Sequence, residues 1–301
     1  MLKRWLSATA RTAGFDIYKA NRGLSPWSNT VHDFYPVQPK PRWKKGSQTF
    51  EHLWKVLNEN RNEYEGFLET LGRNSDVLHS INREQRSATG PFWNNTWFTA
   101  LDAAALVNFI GWKKPSRYIE VGSGNSTNFA RFAIDFWRLD TEMLSIDPKP
   151  RREIDQLCPK VIRKPLEECD LDVFDVLDRN DILFFDGSHR VFSNSDVTVF
   201  FFEVLPRLKR GVIVHIHDIF FPNDYPEEWN NRLYNEQYLL AAMLMCEKPP
   251  FKVIAPIQFI CCDDDLARRV KRIFAASSNE IPFYYPDSPR KPGASFWLEI
   301  T

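Results

Sequence analysis

Downstream of the turn Gly90-Pro91 the chain alternates short apolar runs with helical stretches, and this alternation constrains the fold more than any other feature. Arg117 to Val121, Met143 to Ile146, Val161 to Arg163, Ile182 to Phe185 and Val212 to Ile216 read as strands bounded by helical patterns. Strands joined through helices imply right-handed crossovers, hence a mostly parallel sheet covered on both faces. Phe251 to Ala255, a helix near Leu266 to Phe274, and Ser295 to Ile300 would close it with two further strands. The expected class is α/β, doubly wound, over residues 91–301, with the wound part beginning near Trp97.

Residues 1–90 read differently. Pro26, Pro36, Pro39 and Pro41 interrupt a stretch carrying Trp27, Phe34, Tyr35 and Trp43, as in an irregular arm that docks on a surface. Phe50, Leu53, Trp54, Leu57, Tyr64, Phe67, Leu68 and Leu71 then recur at helical spacing, so an amphipathic helical extension precedes the main domain.

Lys+Arg 39 balances Asp+Glu 39, which leaves no global field to draw in nucleic acid or a membrane, although the first 46 residues are basic. No apolar run is long enough to span a bilayer; the longest, Val197 to Leu205, is broken by Glu203. The opening MLKRWLSATARTAGF lacks the apolar centre of a secretory signal and has only a faint transit-peptide character. Cys158, Cys169, Cys246, Cys261 and Cys262 form an odd set without CxxC spacing, as expected of reduced thiols in the cytoplasm.

The chemistry concentrates where strands end. Tyr118-Ile119-Glu120-Val121-Gly122-Ser123-Gly124-Asn125-Ser126-Thr127 is a strand entering a glycine turn and then a helix. Glycines at 122 and 124 allow close approach of backbone N–H groups to a ligand, and the helix N-terminus favours a negative group. Such a turn also serves simply to pack a strand against a helix. The second strand ends in Ser145-Ile146-Asp147-Pro148, where one carboxylate can accept hydrogen bonds from both ribose hydroxyls, or merely cap a turn. The dinucleotide spacing G-x-G-x-x-G is absent because position 127 is Thr.

Glu120-x-Gly-x-Gly-x-Ser126 followed by a strand ending in Asp147 resembles the cofactor site of class I methyltransferases that use S-adenosylmethionine (SAM). PRREID, DGSHRVFSNSDVTVFFFEVLPRLKRGVIVHIHDIF and YNEQYLLAA resemble a bacterial subgroup, methyltransferase domain family 24. The resemblance covers residues 91–300. It implies a Rossmann-like sheet of seven strands with the last antiparallel and SAM as cofactor. Glu120, Gly122, Ser123, Gly124 and Ser126 would surround its methionine part, Asp147 its ribose, and Glu167 or Glu168 its adenine.

The fourth strand ends in Phe185-Asp186-Gly187-Ser188-His189 and the fifth in His215-Ile216-His217-Asp218, both at the carboxyl edge where open α/β sheets bind ligands. This arrangement resembles the metal-dependent catechol-type O-methyltransferases. Asp186 matches their first metal-binding Asp, His189 falls on the catalytic Lys, and His217-Asp218 on an Asp-Asn metal pair. Asp186 thus counts both among cofactor-binding residues and, with His217 and Asp218, among metal ligands. An Asp, His, Asp set is softer than the all-oxygen shell of Mg²⁺ and suits Mn²⁺, Fe²⁺ or Zn²⁺; a metal-free site is equally open. His189 and His217 are the candidate catalytic residues. An imidazole with its ordinary pKa near 6.5 would let His189 take a hydroxyl proton, with His215 supporting the site from the same strand face.

Val197, Phe200, Phe201, Val204 and Leu208 form a helical stripe and read as core, while Phe220 to Leu233 reads as a lid over the site mouth. The expected activity is SAM-dependent methylation of a small-molecule hydroxyl, with no nucleic-acid partner, no membrane span, and homo-oligomerisation left open. A metal-dependent hydrolase using the HxHD histidines and a non-catalytic SAM-binding protein are the alternatives. Asp186, His189, His217 and Asp218 are expected to converge beside the SAM methyl group, and the arm and the Phe50–Leu71 helix to cover the acceptor side.

Overall fold

The computed structural model describes residues 39–150, 154–284 and 293–301; Trp27, Phe34, Tyr35 and residues 151–153 of the PRREID stretch lie outside them. Seven strands form one sheet: β1 (Arg117–Val121), β2 (Glu142–Ile146), β3 (Lys160–Ile162), β4 (Ile182–Phe185), β5 (Ile213–Ile216), β6 (Phe251–Pro256) and β7 (Phe296–Ile300). Their order is β3-β2-β1-β4-β5-β7-β6. The first five run parallel, and β7 inserts antiparallel between β5 and β6. Each strand lies where the apolar runs predict it, within a residue or so. Central β4 and β5 are buried along their whole length, as continuous rather than alternating apolar sequence requires in a sheet covered on both faces.

The strand order reverses between β1 and β4, which pair directly. The chain therefore leaves these two strands in opposite directions and opens a crevice at their carboxyl ends. Phe185 of β4 faces Ile216 of β5 in register, so residues 186 and 217 start their loops side by side, with the His217 N–H bonded to the Phe185 carbonyl at 3.0 Å.

The predicted N-terminal helix divides into α1 (Gln48–Asn58) and α2 (Arg61–Arg73). Ser47 caps α1, its hydroxyl accepting from the Phe50 N–H at 3.4 Å. The break at Glu59-Asn60 lets both apolar faces reach the same core. Tyr64 donates its hydroxyl back to the Leu57 carbonyl at 2.7 Å, and Trp54 and Tyr64 both pack on Phe259. A short α3 (Ser75–His79) follows, then α4 (Ala100–Lys113), apolar on nearly every side and accordingly buried. Helices α5 (Asn125–Phe136), α6 (Asp196–Val199), α7 (Glu236–Leu244), α8 (Ile257–Cys262) and α9 (Asp264–Phe274) complete the layers. After α6 the chain continues as a π-helical turn over Phe200–Val204, and the predicted stripe from Val197 to Leu208 is buried.

Two expectations are corrected. Helices α1 and α2 do not cover the carboxyl edge of β1, β4 and β5. They pack beside β6, with Arg61 paired to Asp263 at 2.7 Å and Lys252 to Glu63 at 2.6 Å. Nor is the stretch after β5 a free lid. Phe220, Phe221, Tyr225 and Trp229 are buried, so it is a packed wall, and Trp43 at the end of the arm docks on it against Phe221 and Tyr238. Among the described residues no helix is long and apolar enough to cross a membrane.

Because α1 and α2 share one apolar cluster with the sheet, they should unfold with it. Phe67 is fully buried and stacks on Phe109 of α4. Phe67→Ala should cost about 3–5 kcal/mol in urea unfolding while keeping a single transition. A separate early transition, leaving the sheet signal unchanged, would show the helices to be an independent unit.

Candidate active site

The turn after β1 is shaped by two glycines with different duties. Gly122 has φ +82°, and a Cβ there would lie 2.0 Å from the Asp186 carbonyl oxygen. Its lack of a side chain therefore brings the ends of β1 and β4 together, and the Asp186 N–H bonds the Val121 carbonyl at 2.9 Å. A Cβ on Gly124 would meet nothing within 4 Å, so the turn is open to a ligand at that point. Glu120 lies beneath the turn. Thr127 accepts from the Gly124 N–H at 3.1 Å and donates to Glu120 Oε2 at 2.5 Å, while Tyr118 donates to Oε1 at 3.1 Å. Burial pushes the Glu120 carboxyl up to about 7 despite the hydrogen bonds from Ser126, Thr127 and Tyr118.

Two clefts meet at this turn. The first, about 410 Å³, is lined by Gly122, Ser123, Asp147, Leu166, Glu167 and Asp186, among others. Asp147 follows β2 and braces the turn as well as facing the cleft: Oδ2 accepts from the Ser123 N–H and Oδ1 from the Lys149 N–H, each at 2.7 Å. Glu167 lines this cleft whereas Glu168 does not. The second cleft, about 360 Å³, lies on the other side of the turn between Gly124, Ser126, Trp97, Phe98, His189, Asp218, Arg232 and Tyr234. Ser123 and Asp186 line both.

The floor of the second cleft is an acid–imidazole cluster. His189 Nε2 lies 3.2 Å from Asp186 Oδ1 and 3.4 Å from Asp218 Oδ2. His217 Nδ1 lies 3.4 Å from Asp186 Oδ1 and 3.5 Å from Asp218 Oδ1. The four residues expected to converge are thus together. His189 and His217 are not paired with each other; the two aspartates separate them. His189 (φ +61°) and Asp218 (φ +56°) both adopt the left-handed conformation unusual for residues with side chains. Strained backbone of this kind is held by its surroundings and gathers at functional sites.

Two further carboxylates, missed in the sequence, stand behind the imidazoles. Glu236, wholly buried on α7, binds His189 Nδ1, and Asp102 on α4 faces His217 Nε2 at 3.7 Å. Their signals were present: a lone acid in the apolar run of α4, and the Glu of YNEQYLLAA. Burial alone would lower both imidazoles, but the carboxylates outweigh it. Asp186 and Asp218 push His217 up to about 10, and Glu236 with Asp186 holds His189 well above its ordinary value. Burial likewise drives the Asp186 carboxyl upward, yet His217 and His189 hold it well below the carboxylate range. His189 is thus ringed by carboxylates that favour its protonated form, an environment the ordinary imidazole value does not describe. His215 is driven low by burial and by His217, stacks on Phe184, and bonds Ser295 Oγ at 2.8 Å, a core residue rather than a reactive one.

The seven-stranded order with β7 antiparallel, and the glycine turn at its crevice, are those the sequence resemblance led one to expect of a class I SAM-dependent methyltransferase. Residues 119–219, which hold the glycine turn, Asp147 and all of Asp186, His189, His217 and Asp218, match the model of a methyltransferase domain family, family 24 of that name. Solved structures with a similar fold include the S-adenosylhomocysteine (SAH) bound methyltransferase PaMTH1 of Podospora anserina. It is 13% identical over 77% of this chain and 88% of its own, with a TM-score of 0.39. A candidate O-methyltransferase from Klebsiella pneumoniae is 10% identical over 86% and 99%, also at 0.39. The plantazolicin methyltransferase BpumL in complex with SAH is 10% identical over 84% and 94%, at 0.36. No curated protein is similar to the chain. The hydrolase reading of the HxHD stretch is not favoured, since it leaves the glycine turn and the first cleft without a purpose.

Glu120 makes the fold pH-sensitive in a defined direction. Its folded value of about 7 exceeds the ordinary 4.5, so between these limits the folded protein keeps a proton that the unfolded chain releases. Stability contributed by that proton is present at low pH and lost as pH rises to about 7, on the order of 3 kcal/mol in all. The unfolding free energy of Glu120→Gln relative to the native chain should therefore climb across this window and level off above it. Parallel stability curves from pH 4.5 to 8 would refute the buried, titrating carboxyl.

Proposed function

We propose that the protein transfers the methyl group of SAM to a hydroxyl of a small-molecule acceptor, with the cofactor in the first cleft and the acceptor in the second. The observation that carries this reading is the junction of the two clefts at Ser123 and Asp186. The adenosine part fits between Asp147, whose carboxylate would accept from the ribose hydroxyls, and Glu167. The methionine part fits over the open face of Gly124 and Ser126. Asp186, shared by both clefts and held ionised, would favour the cationic cofactor over its neutral product. Most of the chemistry is the cofactor's, and the protein aligns acceptor oxygen, methyl carbon and sulfur.

A hydroxyl entering the second cleft meets Asp186 and Asp218 as hydrogen-bond acceptors and His189 as a donor. His189 serves as a base only after its Nε2 proton has left, with Glu236 retaining the proton on Nδ1. His217 bears on a metal as well. Neither of its ring nitrogens has a hydrogen-bond partner, and ligand atoms of Asp186, His217 and Asp218 all lie within 4.8 Å of one another. A divalent ion that displaced the proton of His217 would be held by these three residues and would supply Lewis-acid activation of the acceptor hydroxyl.

Calorimetry with SAM and SAH, followed by SAH release from a panel of hydroxylated acceptors with and without divalent ions, tests the reading. Binding without turnover on any acceptor would favour a SAM-binding protein that does no chemistry. Asp147→Ala should weaken SAM binding by about 2–4 kcal/mol through lost ribose contacts and a slackened turn. Unchanged affinity in the folded variant would remove Asp147 from the cofactor site. With metal at the cluster, chelation should lower turnover and spare SAM affinity; a rate indifferent to chelator and added ions would exclude it.

A further inference from the structure

The helix that brings Glu236 to His189 begins with a residue whose side chain is engaged elsewhere. Asn235 stands at the N-cap of α7, where an asparagine ordinarily accepts from an N–H of its own first turn. Its side chain makes no such bond. Asn235 Oδ1 accepts instead from the Val191 N–H at 2.6 Å, and the Asn235 N–H donates to the His189 carbonyl at 2.9 Å. One residue thus holds the two main-chain groups that follow the left-handed position at His189, φ +61°. A residue with a side chain keeps that conformation only where its surroundings over-determine it. Glu236, next in sequence, takes Nδ1 of the same ring. Two consecutive residues therefore fix His189 at its carbonyl, at the N–H two residues on, and at its imidazole. The start of α7 is itself held. Buried Gln237 accepts from the Phe220 N–H at 3.0 Å, and its own N–H donates to the Tyr225 hydroxyl at 3.3 Å, both on the wall after β5.

We infer that Asn235 is a positioning residue for methyl transfer: it clamps the backbone after His189 so that the ring stands at the floor of the acceptor cleft with Nδ1 on Glu236. Asn235 lines neither cleft, so it acts through His189. Rotation about φ at residue 189 would swing its Cβ, and with it the ring, away from Asp186 and Asp218, which Nε2 now approaches to 3.2 and 3.4 Å. The same rotation would take Nδ1 out of reach of Glu236. A carboxamide is suited to the clamp because its oxygen reaches Val191 while its main chain serves His189, and a carboxylate at the same position keeps both contacts.

This inference rests on His189 serving the acceptor cleft, and its test reads the ring rather than turnover. In protein with isotope-labelled histidine, Nδ1–H of His189 bonded to a carboxylate should give a low-field proton resonance, assigned by its loss in His189→Gln. Asn235→Ala should lose that resonance although Glu236 is intact, and Asn235→Asp should recover it. Circular dichroism reports that each variant is folded. A folded Asn235→Ala protein with the resonance at its native position would reduce Asn235 to a helix-start residue and overturn the inference, as would an Asn235→Asp protein that fails to recover it. Should Asn235→Ala not fold, hydrogen exchange in the native chain decides: the Val191 amide should exchange as slowly as that of Asn235, and fast exchange at Val191 would overturn the clamp. SAH calorimetry is run beside these measurements. A native chain that does not bind SAH would sink the methyltransferase reading, whereas loss of the clamp with SAH binding intact would sink this inference alone.

Discussion

Burial of opposed charge at the carboxyl ends of β4 and β5 is the constraint on which the site depends. Asp218, Glu236 and Asp102 are almost wholly removed from solvent together with His189 and His217. Isolated, any one of these ions would be prohibitively placed. As a set, carboxylates and imidazoles offset part of one another's burial, and removal of one partner from such a group typically costs about 3–5 kcal/mol because it strands the others. The left-handed backbone at His189 and Asp218 belongs to the same bargain. Each residue leaves its strand in an unfavourable conformation and is kept there by the charged contacts that the conformation makes available.

The glycine turn stands in a complementary relation to this cluster. It carries no charge, but Gly122 lets the β4 end approach closely enough for Asp186 to line both clefts. The Glu120–Thr127–Gly124 chain beneath it keeps the backbone from relaxing. A group transfer between two bound molecules needs one wall shared by both, and the β1–β4 crevice supplies it because the strand order reverses there.

The sheet was legible because its strands are buried on both faces, so each appears as an uninterrupted apolar run between helical patterns. The residues following β1, β2, β4 and β5 were legible for a related reason: a parallel sheet brings all its carboxyl ends to one edge, and polar residues there stand out against the apolar strands. Glu236 and Asp102 were not, since each lies on a helix far from that edge in sequence and reaches the cluster only through packing. Ionisation was also beyond the sequence. His189 looks like an ordinary imidazole until four carboxylates are found around the pair of histidines. The wall after β5 was misread for a similar reason, because prolines and acids advertise a loop whereas the burial of Phe220, Tyr225 and Trp229 depends on their mutual packing.

Asp102 ties the last strand to this chemistry. Its carboxylate accepts from the N–H groups of Ala294 and Ser295 at 2.7 to 3.1 Å and from Thr99 Oγ1 at 2.9 Å, while facing His217. Ser295 immediately precedes β7, and its hydroxyl bonds His215 on β5. One buried carboxylate thus anchors the segment entering the antiparallel strand and adds to the field that keeps His217 protonated. The cluster is therefore coupled to closure of the sheet between β5 and β6: until β7 is in place, Asp102 lacks the N–H donors of Ala294 and Ser295 that hold it against His217.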